Sequence, residues 1–166
     1  MKMIQPCNFF LIHSSDHGGI LYNETLDSMQ ILDEFKMSWL GWEYKTYIRK
    51  TGWNEGLFEE ETGKIRPKLA RLYSRPYAMA VAGTIVDMKY DDHSHVFILK
   101  WIIAANSSSD VVSEIFLSRK WHYPTGYRVS FSSSASIRTR TSGNVLYVSA
   151  KSRKYDQVVE LIVRPI

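Results

Sequence analysis

A chain of 166 residues with 45% hydrophobic and 23% charged residues has the make-up of one globular domain, or of one small domain joined to a piece of another. Its formal charge of +4 comes from Lys and Arg scattered singly, with no dense stripe or RNA-binding signature, which argues against a nucleic-acid partner. The single cysteine, Cys7, excludes an internal disulfide framework and reads as an inert thiol; no cofactor or metal is called for.

The N-terminus, Met1-Lys2-Met3-Ile4-Gln5-Pro6, lacks the apolar segment of a signal peptide, and no run approaches the ~20 residues of a membrane helix. Asn8 to His13 is a short apolar run that reads as a strand, and Ser14 to Gly19 as the loop after it. From Thr25 to Lys36, Leu26, Met29, Leu32 and Phe35 recur every third position, which predicts a helix with Thr25 or Asn23 as N-cap. Asn23-Glu24-Thr25 also fits the glycosylation sequon, as does Asn106-Ser107-Ser108; together they point to a secreted or lysosomal parent protein.

Ser38-Trp39-Leu40-Gly41-Trp42-Glu43-Tyr44-Lys45 reads as a buried strand that delivers aromatic side chains to its C-terminal end. A tryptophan at the end of a barrel strand offers a flat apolar face to a sugar ring, so Trp42, with Trp39 and Glu43 in support, forms the candidate substrate platform. The competing reading makes both tryptophans ordinary core aromatics. A polar loop with Gly52, Gly56 and Gly63 follows, carrying Glu59-Glu60-Glu61 as a solvated acidic turn, and a second helix starts near Pro67. The order strand, helix, strand, helix implies parallel strands.

After Gly83 the pattern becomes that of a sandwich, with β-branched and aromatic runs at Thr84 to Tyr90, Val96 to Ile103, Val111 to Leu117, Tyr127 to Phe131, Ser136 to Thr139, Val145 to Ser149 and Gln157 to Val163. Asp91 to His95 and Ser142-Gly143-Asn144 supply hairpin turns. The boundary is set near Gly83, giving a first part over 1–83 and a β-sandwich over 84–166.

The tryptophan run, followed by Ser74-Arg75-Pro76-Tyr77-Ala78-Met79-Ala80-Val81-Ala82-Gly83, resembles the last barrel segments of endoglycoceramidases in glycoside hydrolase family 5. Met88-Lys89-Tyr90-Asp91, Val96-Phe97-Ile98-Leu99, Ser113-Glu114-Ile115-Phe116-Leu117 and Tyr123-Pro124-Thr125-Gly126-Tyr127 resemble the sandwich that follows that barrel. The fold implied is mainly β: an antiparallel C-terminal sandwich preceded by a partial (β/α)8 barrel, its last two βα units. The resemblance implies a parent that cleaves the bond between oligosaccharide and ceramide in glycosphingolipids with two glutamates and retention of configuration, in contact with its glycolipid substrate and with a membrane surface. The family's acid/base glutamate lies on a fourth barrel strand that has no counterpart in this chain. Its nucleophile ends the seventh strand, matched here by Asn8 to His13, where no Glu follows and Asp16 is the nearest carboxylate.

Aspartate is one methylene shorter and would fall about 1 Å short of the anomeric carbon, at a cost on the order of 100-fold. Asp16 as a turn-capping residue is the simpler account. His13 and His17 lack a third metal ligand. The chain is therefore expected to be the C-terminal piece of a longer hydrolase and inactive alone; an intact small enzyme built from Asp16, Glu24 and Glu43 is the poorer reading. A non-catalytic β-sandwich module binding glycan, lipid or a partner protein is the alternative, and it would expose Trp101, Trp121, Tyr123 and Tyr127 in a coplanar row.

Overall fold

The computed structural model describes residues 9–13, 19–42, 44–45, 56–103, 112–133, 135–151 and 157–166, with side chains left aside at 9–13, 19–21 and 42. The chain divides into two compact units, Cys7–Ser74 and Arg75–Ile166, the latter taken with Met1–Pro6.

In the first unit, β1 (Phe9–His13), α1 (Gly19–Glu34) and β2 (Ser38–Trp42) make a βαβ unit, followed by α2 (Pro67–Tyr73). The two strands pair in parallel, from Phe9 opposite Ser38 to His13 opposite Trp42. Helix α1 starts earlier than the sequence suggests. Asn23 and Thr25 sit within it, the first exposed and the second buried, so neither caps it.

The helix ends where Lys36 takes a left-handed φ of 56°. The Met37 amide then reaches back to the Leu32 carbonyl at 2.8 Å and the Lys36 amide to that of Asp33 at 3.1 Å. This is a Schellman turn, and its usual apolar contact is present because Met37 packs on the cluster containing Leu32. Phe35 falls beyond the helix and is 68% exposed, so it does not extend the buried stripe of Leu26, Met29 and Leu32. Helix α2 begins at Pro67 as the sequence indicates, since proline has no N–H to lose at the first helical position. Met29, Leu32, Leu69 and Leu72 form the core between the helices and β2.

The second unit holds two four-stranded antiparallel sheets around one core. One sheet runs β4 (Gly83–Tyr90), β5 (Phe97–Ile103), β10 (Val158–Pro165), β7 (Tyr127–Ser132); the other runs β3 (Tyr77–Ala80), β6 (Ser113–Phe116), β9 (Val145–Lys151), β8 (Ser136–Ser142). Each of the seven strands read from the sequence has its counterpart. The additional one is β3, whose Tyr77 pairs with Phe116, and for that reason the compact unit begins at Arg75 rather than after Gly83.

Period-two alternation fills the core: Phe97, Leu99, Trp101 and Ile103 of β5, with Val159, Leu161 and Val163 of neighbouring β10, pack in one cluster with Leu146, Val148 and Ala150 of β9 in the other sheet. Two bulges interrupt it, between Ala78 and Ala80 and between Ile85 and Asp87, and the residues they leave unpaired, Met79 and Val86, are exposed. The corner from β3 to β4 is tied down by the Ala82 amide, which donates to the buried Ser113 hydroxyl at 2.9 Å. The turn after β4 is an Asx turn in which the Asp91 carboxylate accepts from the His93 and Ser94 amides at 2.8 and 3.1 Å, and these bonds hold its pKa below the usual range. At the opposite hairpin Gly143 takes a φ of 56°, which glycine adopts without strain.

Candidate functional site

At the C-terminal end of the parallel pair the backbone places one of the sequence candidates, Trp42. His13 and Trp42 are register partners there, each the last residue of its strand. In parallel sheets flanked by helices this end carries the ligand site.

Trp39 lies on the helix side, stacked on Tyr73 at 5.7 Å between ring centroids and packed on the cluster of Met29, Leu32, Leu69 and Leu72. Gly41 shares that side, and a Cβ on it would come within 2.7 Å of the Tyr73 ring, which accounts for a glycine between two tryptophans. Leu40 alternates to the other side, where it is 55% exposed. The expectation that Trp39 faces substrate is corrected accordingly, since its ring is taken up by packing against Tyr73 and the helices, while Trp42 is placed as the last residue of the strand.

Gly41→Ala is expected to push the Tyr73 ring out of its place and destabilise the first unit by about 1–3 kcal/mol, as overpacking does. Faster limited proteolysis within 7–74, with the sandwich fragment still protected, would show it.

A feature the sequence reading missed follows β2 directly. Tyr44 is 72% exposed and lies against Phe58, with ring centroids 5.0 Å apart. The Phe58 amide donates to the Tyr44 carbonyl at 3.1 Å, and Phe58 bridges both Lys45 and Ile65. Buried Arg66 closes the loop from within, its guanidinium donating to the Gly56 carbonyl at 2.6 Å. The signal was available: an aromatic directly after the strand end, inside the tryptophan run.

Asp16, His17, Glu43, Asn106 and Cys7 lie outside the described residues, as does the side chain of His13. Asn23 is exposed on α1. Among the described residues no group of three or more His, Cys, Asp or Glu is placed to hold a metal ion, and no helix is long and apolar enough to cross a membrane.

In the sandwich, the four aromatics that would signal a binding face do not form one. Trp101 and Tyr123 are fully buried in the core. Burial holds the Tyr123 phenol well above its usual pKa, with neighbouring Tyr127 adding to the effect. Tyr127 packs against Tyr123 at 66° between ring planes, and half-buried Trp121 carries Lys120 over its ring at 4.9 Å.

The profile of the glycoside hydrolase family 5 C-terminal domain matches residues 75–163, which coincides with the second compact unit. The chain belongs to that family. This glycoside hydrolase family 5 chain is 31% identical over 111 residues to an endoglycoceramidase of Cyanea nozakii, covering 65% of this chain and 22% of that protein. It is 27% identical over 151 residues to an endoglycoceramidase of Hydra vulgaris, covering 89% of this chain and 28% of the other.

The chain thus spans about a quarter of the length of these curated relatives. Its fold is similar to that of endo-glycoceramidase II from Rhodococcus sp., solved as a lactosyl-enzyme intermediate, with a TM-score of 0.69 at 16% identity over 95% of this chain and 33% of that one. It is also similar to sterylglucosidase 1 of Cryptococcus neoformans, with a TM-score of 0.65 at 17% identity over 87% of this chain and 24% of the other.

Proposed function

We propose that this chain is the C-terminal part of a glycosidase that hydrolyses the bond between oligosaccharide and ceramide in glycosphingolipids by a retaining, two-carboxylate route. What carries the reading is the match to the Hydra vulgaris endoglycoceramidase over 151 residues, a length that the 92-residue span of the sandwich from Arg75 to Ile166 cannot contain. The parallel pair supports it, since Leu40 is left 55% exposed on the face of β2 turned away from its helices, the face a closed barrel would cover. On this reading β1 and β2 are the last two strands of the barrel.

Trp42 would then lie at the floor of the sugar subsite, with Tyr44 and Phe58 flanking its mouth and Glu43 in a supporting role. A covalent glycosyl-enzyme, the species named for the Rhodococcus protein, is the mark of a retaining double displacement. That chemistry needs a nucleophile and an acid/base about 5 Å apart, and the chain offers only the short Asp16 toward the first of them. The parent is proposed to meet its glycolipid at a membrane surface in a secretory or lysosomal compartment, on the strength of the two sequons and the substrate class.

The expected result is that the purified chain releases nothing from a fluorogenic glycosphingolipid. Turnover above blank that disappears in Asp16→Asn would show that the chain carries its own nucleophile and would overturn the reading that it supplies only part of a longer hydrolase's site.

A further inference from the structure

One end of the sandwich holds a buried polar cluster that hydrolysis does not use. Tyr90 closes β4 and is 4% exposed, His95 ends the turn between β4 and β5, and His122, 2% exposed, lies in the connection from β6 to β7. The cluster therefore ties the β4–β5 hairpin to the connection that crosses from one sheet to the other. The Tyr90 hydroxyl is 2.7 Å from Nδ1 of His95 and 2.6 Å from Nδ1 of His122, and the two imidazole centroids are 5.9 Å apart. Tyr123, at 0% exposure, donates its hydroxyl to the His95 carbonyl at 3.1 Å, and His95 itself holds a left-handed φ of 55°.

A phenol has one proton to give and an oxygen that accepts. With two Nδ1 atoms on it, Tyr90 donates to one imidazole and accepts from the other, so the two rings must be opposite tautomers when neutral. A first proton can be taken at Nε2 of the ring that already donates, and both short bonds survive. A second proton turns the remaining Nδ1 into a donor as well. The Tyr90 hydrogen is then displaced from both partners, and two imidazolium rings face each other in a site that also holds Arg75, its guanidinium carbon 5.4 Å from the Tyr90 ring centroid.

Among the described residues the charged groups beside this cluster include Asp92, paired with Arg75 at 3.4 Å, and in the same turn exposed His93 and Asp91. Asp92 and Arg75 offset each other and the Asp91 carboxylate offsets one imidazolium, so the second leaves a net positive charge.

We propose that Tyr90, His95 and His122 form a proton-limited latch that joins the β4–β5 hairpin to the β6–β7 connection while the imidazole pair carries at most one proton and releases that end of the sandwich when it takes the second. The sign follows from linkage: the unfolded chain binds both protons near pH ~6.5 and the folded latch does not, so stability is present above that pH and lost as pH falls below it. The folded-to-unfolded ratio should drop about tenfold per pH unit below about pH 6, the slope of one excluded proton.

Thermal and urea unfolding of the whole chain from pH 8 to 4 tests this, with Tyr90→Phe and His122→Gln as variants. Each should flatten the acid limb, His122→Gln because its amide still accepts from Tyr90 and leaves His95 free to charge, whereas His93→Asn should leave the limb as in the parent sequence. Should the variants fail to fold, nitrogen chemical shifts of the unaltered chain at pH 7.5 decide: one imidazole protonated at Nδ1 and the other at Nε2 is the expected result. The same tautomer on both rings, or an acid limb unchanged by His122→Gln, would overturn the latch.

Discussion

Trp101→Ala is expected to cost the sandwich about 3–5 kcal/mol, the range for removing a large aromatic from a close-packed core. Trp101 sits at the middle of β5, opposite Ile85 on one side and Val159 on the other, with no exposed surface. Nothing around it can close the gap, because its neighbours Leu99, Leu161 and Val148 are themselves fully buried side chains fixed by two strand ladders. Against the 5–15 kcal/mol that holds a typical domain folded, such a loss removes much of the margin.

Trp101→Phe should behave differently. The indole Nε1 is buried with no hydrogen-bond acceptor among the described residues, so the wild-type core already bears the cost of a desolvated donor, about 1–3 kcal/mol. Phenylalanine removes that donor while leaving a smaller void, and its net cost should stay under half that of alanine. Urea unfolding followed by far-ultraviolet circular dichroism would read both. Equal costs for Phe and Ala would show that the size of the void does not set the energetics of the site.

The contrast between legible and hidden features follows from the range of the interactions involved. β5 could be read from the sequence because its alternate residues, Phe97, Leu99, Trp101 and Ile103, write the buried face directly into a period of two. β3 could not, because Tyr-Ala-Met-Ala is short, bulged and built from residues that favour helix as much as strand. The start of α1 was obscured by its own polar residues: Asn23 and Thr25 look like caps, and only the packed structure shows them one turn inside.

The strand ending at Trp42 was legible from its aromatic run, whereas the packing of Trp39 on Tyr73 needed the helix that follows to be in place. Tyr44 needed the loop partner Phe58 to stand out. The latch was out of reach, for Tyr90, His95 and His122 acquire meaning only once the β6–β7 connection is folded against the turn after β4.

The second large effect concerns the residue that opens the family-matched unit. Arg75 is 4% exposed, its Nε 3.4 Å from the Asp92 carboxylate, and its Nη2 donates to the Tyr90 carbonyl at 3.3 Å. A buried guanidinium is tolerated only with such partners, since the cost of removing it from water is several kcal/mol. Arg75→Met keeps most of the apolar stem but takes the cation from Asp92 and the donor from the Tyr90 carbonyl, and it should destabilise the sandwich by about 3–5 kcal/mol.

Asp92→Asn leaves a polar partner at 19% exposure and should cost less, as water reaches that side of the pair. The double variant Arg75→Met with Asp92→Leu should then recover part of the loss, because neither charge is left alone. Additive losses in the double-mutant cycle would show that Arg75 acts through its bond to the Tyr90 carbonyl and its place over the Tyr90 ring, with the ion pair contributing nothing. A coupling of 1 kcal/mol or more would assign the fastening of this end of the sandwich to the charge pair.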